Sequence, residues 1–171
     1  MGNVSSKDLE YKVYTLGDVG VIELLISYRY KYDDNLFLDD GIAMAVTGAA
    51  RLNEEVIHTY ASLDWYIEKC NFSREQLEMI RLIGEGYSHE EIAYELKLLT
   101  STIAGRLRTI YKRILKENEW QWRKSVYMSK LELKSKQCSK CKGELPATVE
   151  FYRDDNRNKD GFQSRCRDCE K

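Results

Sequence analysis

Two Cys-x-x-Cys pairs, Cys138/Cys141 and Cys166/Cys169, stand near the end of this 171-residue chain with 24 residues between them. No other feature limits the fold as much. Four thiolates in two knuckles suit a tetrahedral, closed, structural zinc site, in which metal replaces a core too small to fold alone. The segment between the pairs carries FYR (151–153) and FQSR (162–165) on either side of an Asp160-Gly161 turn signal, so a small β ribbon is expected over 134–171. Two disulfides would need an export route, and no charged-then-apolar leader opens the chain. A redox Cys-x-x-Cys would not be expected in duplicate at ribbon spacing. No His or Glu supplements the four cysteines, so an open catalytic position is not expected either. Cys70 is unpaired and reads as a small buried hydrophobe.

The net charge of −1 conceals a division. Residues 1–99 hold 9 Lys+Arg against 18 Asp+Glu, whereas residues 100–171 hold 18 against 10. Such asymmetry suggests a basic part that meets polyanions and an acidic part that does not, or halves that neutralise each other. A single proline, Pro146, and 10 glycines imply a largely helical chain. No apolar run approaches the ~20 residues of a membrane span, so no membrane partner is expected and a cytoplasmic setting is. The opening MGNVSS matches the myristoylation pattern, which has no meaning without a eukaryotic transferase, and no role is expected for it.

In the acidic part, LEYKV (9–13) alternates as a short strand or extended lead-in would. A first helix is expected from Asp18, its N-cap, to Tyr30, with Val21, Leu24, Leu25 and Tyr28 on one face. A second is expected over about 40–52, with Ile42, Ala45, Val46 and Ala49 on one face. A third is expected from about Glu54 to Cys70, with Val56, Tyr60, Leu63 and Ile67 inward. His58 stands alone, without partners at ligand spacing.

The middle of the chain carries two helix-start signals in succession. Ser73 with Gln76, and Ser88 with Glu91, each form a capping box. Gly86 sits where a helix ends in the left-handed conformation. Leu77, Ile80 and Ile83 or Gly84 are expected inward on the first helix, and Ile92, Ala93 and Leu96 on the second. Lys97 to Leu99 make a turn. Thr100 or Leu99 precedes a third helix, Thr100 being the better cap by chemistry, and on that helix Ile103, Leu107, Ile110 and Ile114 form one apolar stripe. Its other face carries Ser101, Gly105, Arg108, Thr109 and Lys112, flanked by Ala104 and Arg113. No carboxylate occurs from Thr100 to Lys116, the composition expected of a helix docked against phosphates. Glycine at 105 costs roughly 1 kcal/mol relative to alanine, and close approach of DNA or a neighbour is its expected use. A helical extension follows, in which Trp120, Trp122, Tyr127 and Met128 would close a core or form an oligomer face.

FSREQLEMIRLIGEGYSHEEIAYELKLLTSTIAGRLRTIYKRI resembles the DNA-binding domain of LuxR-type regulators and the related region 4 of bacterial sigma factors. The likeness rests on the Ser-Arg-Glu opening, Leu-Ile-Gly-Glu-Gly, Ser with Glu-Ile-Ala, Leu96, Thr102-Ile103 and Ile-Tyr-Lys-Arg at 110–113. It covers about 72–115. It departs at Leu99, where a serine is usual, and at Ser101 and Ala104, where lysines are frequent. The C-terminal segment resembles a small zinc ribbon of phage and prophage proteins, without the His-Asn-His nuclease that follows it in some of them. The order of parts resembles small sigma-like regulators of phages.

The expected fold is therefore mainly α: an acidic helical part (1–70), a helix-turn-helix with helical extension (71–133) and a β zinc ribbon (134–171). The expected function is sequence-specific, DNA-binding transcription regulation, not catalysis. Candidate DNA contacts are Thr100, Ser101, Thr102, Ala104, Gly105, Arg106, Arg108, Thr109, Lys112 and Arg113; the ribbon's Arg153, Arg157, Lys159, Arg165 or Arg167 would add basic contacts. The metal ligands are Cys138, Cys141, Cys166 and Cys169. Double-stranded DNA is the expected partner, with RNA polymerase and a second copy of the chain as further candidates. A DNA-packaging or recombination adaptor and a polymerase- or sigma-binding module are the rival readings.

Overall fold

The computed structural model describes residues 16–32, 37–38, 51–131 and 134–170. The expectations for LEYKV and MGNVSS lie outside these residues, as does most of the expected helix over 40–52. The described chain is mainly helical, with short two-stranded antiparallel sheets, two of them C-terminal. It divides into two compact units between Glu119 and Trp120.

In the first unit, Asp18 caps α1 (Val19–Ser27), its carboxylate accepting from the amides of Gly20 and Val21. A 3-10 turn, Arg29–Lys31, follows. The buried face of α1 is Ile22 and Ile26, whereas Leu24 and Tyr28 are exposed, so the expected inward face is corrected by about one residue. VGVIELLIS is apolar nearly all round, so periodicity alone does not select a face.

Strands β1 (Phe37–Leu38) and β2 (Arg51–Leu52) pair antiparallel. The expected second helix therefore does not extend through residues 51–52. Asn53 caps α2 (Glu54–Lys69), which buries Tyr60 and Leu63 and packs Val56 and Ile67 against the core, as the spacing predicts. The Tyr60 hydroxyl donates to the Leu25 carbonyl at 3.1 Å, and Arg29 grips Asp64 through two 2.6 Å hydrogen bonds.

Both capping boxes form. Ser73 and Gln76 open α3 (Arg74–Gly84), and Ser88 and Glu91 open α4 (His89–Leu96). Between them Gly86 adopts φ +92°, and a Cβ there would come within 3.2 Å of the Tyr30 ring. The buried face of α3 is Met79, Ile80, Leu82, Ile83 and Gly84. Leu77, expected inward, is 45% exposed: it stands at the edge of this face, in the first turn of the helix. Lys97 closes α4 in the left-handed conformation, φ 54°. The next helix, α5, spans Thr100–Leu131. Its cap is not Thr100: the Leu99 carbonyl accepts from Thr102 and Ile103, which makes Thr100 the first helical residue. Ile103, Leu107, Ile110 and Ile114 are essentially inaccessible. Burial of each contributes about 1.5–3 kcal/mol, so this stripe anchors α5 on α3 and α4.

In the second unit, β3 (Ser135–Gln137) pairs with β4 (Glu144–Pro146) and β5 (Tyr152–Asp154) with β6 (Phe162–Cys166), followed by the single turn α6 (Arg167–Glu170). Its core is Leu145, Phe151 and Tyr152 with Cys138 and Cys166. Trp120 and Tyr127, from the last turns of α5, place their rings 4.8 and 5.5 Å from that of Phe151. Trp122 and Met128 remain partly exposed.

Candidate metal centre and basic helix face

The first knuckle is built by the turn between β3 and β4. The Cys138 amide donates to the Gly143 carbonyl and the Lys142 amide to the Cys138 carbonyl, with Lys142 at φ 59°. The second is the junction of β6 with α6. Register pairs Tyr152 with Cys166, and the Arg167 amide donates to the Phe151 carbonyl. Gly161 sits at φ 76° in the turn predicted at Asp160-Gly161. Asp160 accepts from the Phe162 amide and pairs with Lys136 at 2.6 Å.

These two devices bring Cys138, Cys141, Cys166 and Cys169 together, with all four sulfurs within 4.8 Å of one another. The Cys141 and Cys166 sulfurs are 3.9 Å apart. That is far beyond the ~2.05 Å of a disulfide. It is close to the ~3.8 Å edge of a tetrahedron with metal–sulfur bonds of about 2.3 Å. The four cysteines can therefore hold a metal ion. Burial opposes ionisation of Cys138, but the amides of Cys166, Cys141 and Lys140 turned towards its sulfur outweigh burial and lower its pKa to about 6. Burial pushes the thiols of Cys166 and Cys169 up. Four adjacent thiolates are not stable without a cation, and a bound dication would supply the compensating charge.

Sequence spacing points to the four cysteines but not to their support. Tyr152 is buried and donates from its hydroxyl to the Lys136 carbonyl at 2.6 Å; Lys136 lies over the Tyr152 ring and donates to the Phe162 carbonyl. This pair joins the two hairpins behind the sulfurs.

On α5, the expected basic face divides. Thr100, Ser101, Ala104, Gly105, Arg108, Thr109 and Lys112 are exposed, and Thr102 is half-buried. Arg106 is half-buried and ion-paired with Glu75. Arg113 donates to the Cys70 carbonyl and stacks over Phe72 at 5.0 Å. The Arg106 guanidinium thus reaches the first turn of α3 and that of Arg113 the junction between α2 and α3, although Arg113 as a residue stays exposed. No ion pair of Arg108 or Lys112 occurs among the described residues. The Thr109 hydroxyl donates to the Gly105 carbonyl at 3.0 Å. A Cβ built on Gly105 would meet nothing within 4 Å, so no internal neighbour requires the glycine.

The exposed side of α4 differs. Tyr87, Glu90, Glu91, Tyr94 and Glu95 line a shallow acidic and aromatic depression, with Tyr94 85% exposed. Cys70 is buried and its thiol is raised to about 11, first by desolvation. It has the character of an inert core residue. His58 is exposed on α2. Among the described residues no helix is long and apolar enough to cross a membrane. Compared with protein-family models, curated proteins and solved structures, the chain has no match.

Proposed function

We propose that this chain is a sequence-specific DNA-binding transcription regulator of sigma-like type, encoded by a phage or prophage, with structural zinc in its C-terminal ribbon. One observation carries the reading. Two capped helices and a left-handed turn at Lys97 anchor α5 by its apolar stripe. Its opposite face, Ser101, Ala104, Gly105, Arg108, Thr109 and Lys112, stays exposed and free of carboxylates. A helix with small residues at its start and cations beyond them suits insertion into the major groove. Four cysteine sulfurs with no His or carboxylate among them favour zinc over harder cations and leave no open coordination position for catalysis.

The ligands assigned to zinc are Cys138, Cys141, Cys166 and Cys169. Base contacts are assigned to Ser101, Ala104, Gly105 and Arg108, with Thr100, Thr102, Thr109 and Lys112 towards the backbone. Arg106 and Arg113 would act by fixing the helix. Selection of duplexes from a random pool by the zinc-loaded protein tests the proposal: enrichment of a common sequence supports it, and an unenriched pool rejects it.

A second reading, a polymerase- or sigma-binding module, is favoured by the acidic, tyrosine-bearing surface of α4, which would repel phosphates and suits a basic protein partner. Polymerase pull-down with no shift of any duplex would select it over the first.

A further inference from the structure

We propose that the outer face of the ribbon is a second nucleic-acid contact, a groove for backbone phosphates of duplex DNA. It extends the function proposed above and concerns residues remote in sequence from α5. The groove encloses about 530 Å³ and is lined by Arg153 on β5, Arg157 in the following turn and Arg165 on β6, with Asp155, Gln163 and Glu170.

The arrangement is layered. Glu170 and Asp155 are recessed, their side chains 17% and 15% exposed, whereas the guanidiniums they hold, Arg153 and Arg157, are 62% and 88% exposed. Glu170 faces the Nε of Arg153 at 2.8 Å. Asp155 takes the Nε and one terminal nitrogen of Arg157. Asp155 thus hydrogen-bonds Arg157, whereas Glu170 lies beside Arg153 as a close ion pair whose buried oxygen makes no hydrogen bond, and both guanidiniums stay largely exposed. Arg165 is exposed, and no ion pair restrains it among the described residues. Three guanidiniums against two recessed carboxylates leave the rim cationic. Arginines held in this way lose little freedom on binding, and their planar donor forks match phosphate oxygens. Asn158, Gln163 and Ser164 complete the polar lining, and the exposed guanidiniums direct the contact to backbone phosphates.

The test uses the full-length, zinc-loaded protein with a selected duplex and a random-sequence duplex, titrated over a series of salt concentrations. The variant Arg157→Gln/Arg165→Gln should weaken binding to both duplexes by the same factor. It should also reduce the slope of log K against log salt by roughly 2, one for each phosphate the variant no longer neutralises. Zinc content and melting temperature report folding. Arg165 makes no described ion pair, so Arg165→Gln alone, with a slope reduction of about 1, provides the reading if the double variant does not fold. An unchanged slope on both duplexes overturns the groove, as does a weakening confined to the selected duplex. Failure of the helix reading looks different: no duplex is preferred by the parent protein, while the effect of the arginine variants on random duplex is still measured.

Discussion

The amide of Cys166 donates to the sulfur of Cys138 at 3.3 Å, so the two knuckles are joined by a hydrogen bond as well as through any metal they share. Amide donation favours the thiolate form at Cys138, whereas the thiols of Cys166 and Cys169 resist ionisation through burial. A ribbon this small uses metal in place of a larger core, so chelation should unfold it rather than leave an empty, preformed cage. The protein should release one zinc per chain to a strong chelator, with the ribbon's amide protection disappearing together with the metal. Cys138→Ser should behave as the chelated protein does. Unchanged protection after complete metal removal would count against a structural role.

Phe151 is fully buried and lies between Trp120, Tyr127 and the sulfur cluster. Phe151→Ala should destabilise this unit by about 3–5 kcal/mol, the usual cost of emptying such a site. Thermal melting and tryptophan fluorescence would detect it, and zinc should be released more readily. Truncation to begin at residue 134 removes Trp120 and Tyr127 and should weaken metal retention in the same sense.

The two capping boxes differ in one atom type, which makes a controlled pH experiment. Glu91 accepts from the Ser88 amide and hydroxyl, and these bonds hold its carboxyl below the ordinary 4.5. A depressed carboxylate adds stability that is present above its unfolded value and is lost as pH falls through the lowered folded value. Acid titration of the helix-turn-helix should thus show a loss beginning near 4.5 and continuing below it. Glu91→Gln keeps a side-chain acceptor and should flatten this part of the profile. The box at Ser73 already has Gln76 and should contribute no such dependence. Ser88→Ala should cost about 1 kcal/mol at neutral pH, by melting or denaturant titration.

Gly105 is helical and has no internal neighbour at its Cβ position. Gly105→Ala should therefore stabilise the fold by about 1 kcal/mol. If the glycine serves close approach of DNA, the same variant should bind a selected duplex more weakly. Higher melting temperature with lower affinity is the expected combination; a gain in both would remove the assignment.

How much of the fold is legible in the sequence depends on how local each determinant is. Both capping boxes, Gly86, the Lys97 turn and the Ile103–Leu107–Ile110–Ile114 stripe are set by residues within a turn or two of one another, and all appear where spacing puts them. Of the two caps the sequence offers α5, the position falls to Leu99 and not to Thr100 with its better chemistry: the Leu99 carbonyl accepts the amides of Thr102 and Ile103. On α1 and α3 an excess of apolar residues allows more than one face. Only packing against Tyr60, Leu63 and their neighbours decides that Ile22 and Ile26 go in while Leu24 and Leu77 stay out. The clustering of the four cysteines is legible from spacing. The Tyr152–Lys136 support and the recessed Asp155 and Glu170 are not, because cross-hairpin register brings them together. Arg106 and Arg113 look equivalent to Arg108 in sequence, and only the position of Glu75 and Cys70 separates them.

The most direct measurement is the affinity of the zinc-loaded protein for its selected duplex against a random one, for the parent, Arg108→Ala and Lys112→Ala. Arg108→Ala should cost about 1–3 kcal/mol on the selected duplex and much less on the random one. Lys112→Ala should weaken both alike and lower the salt slope by about 1. Unchanged affinity in both variants, with folding and zinc content intact, would contradict the assignment of α5 to the groove.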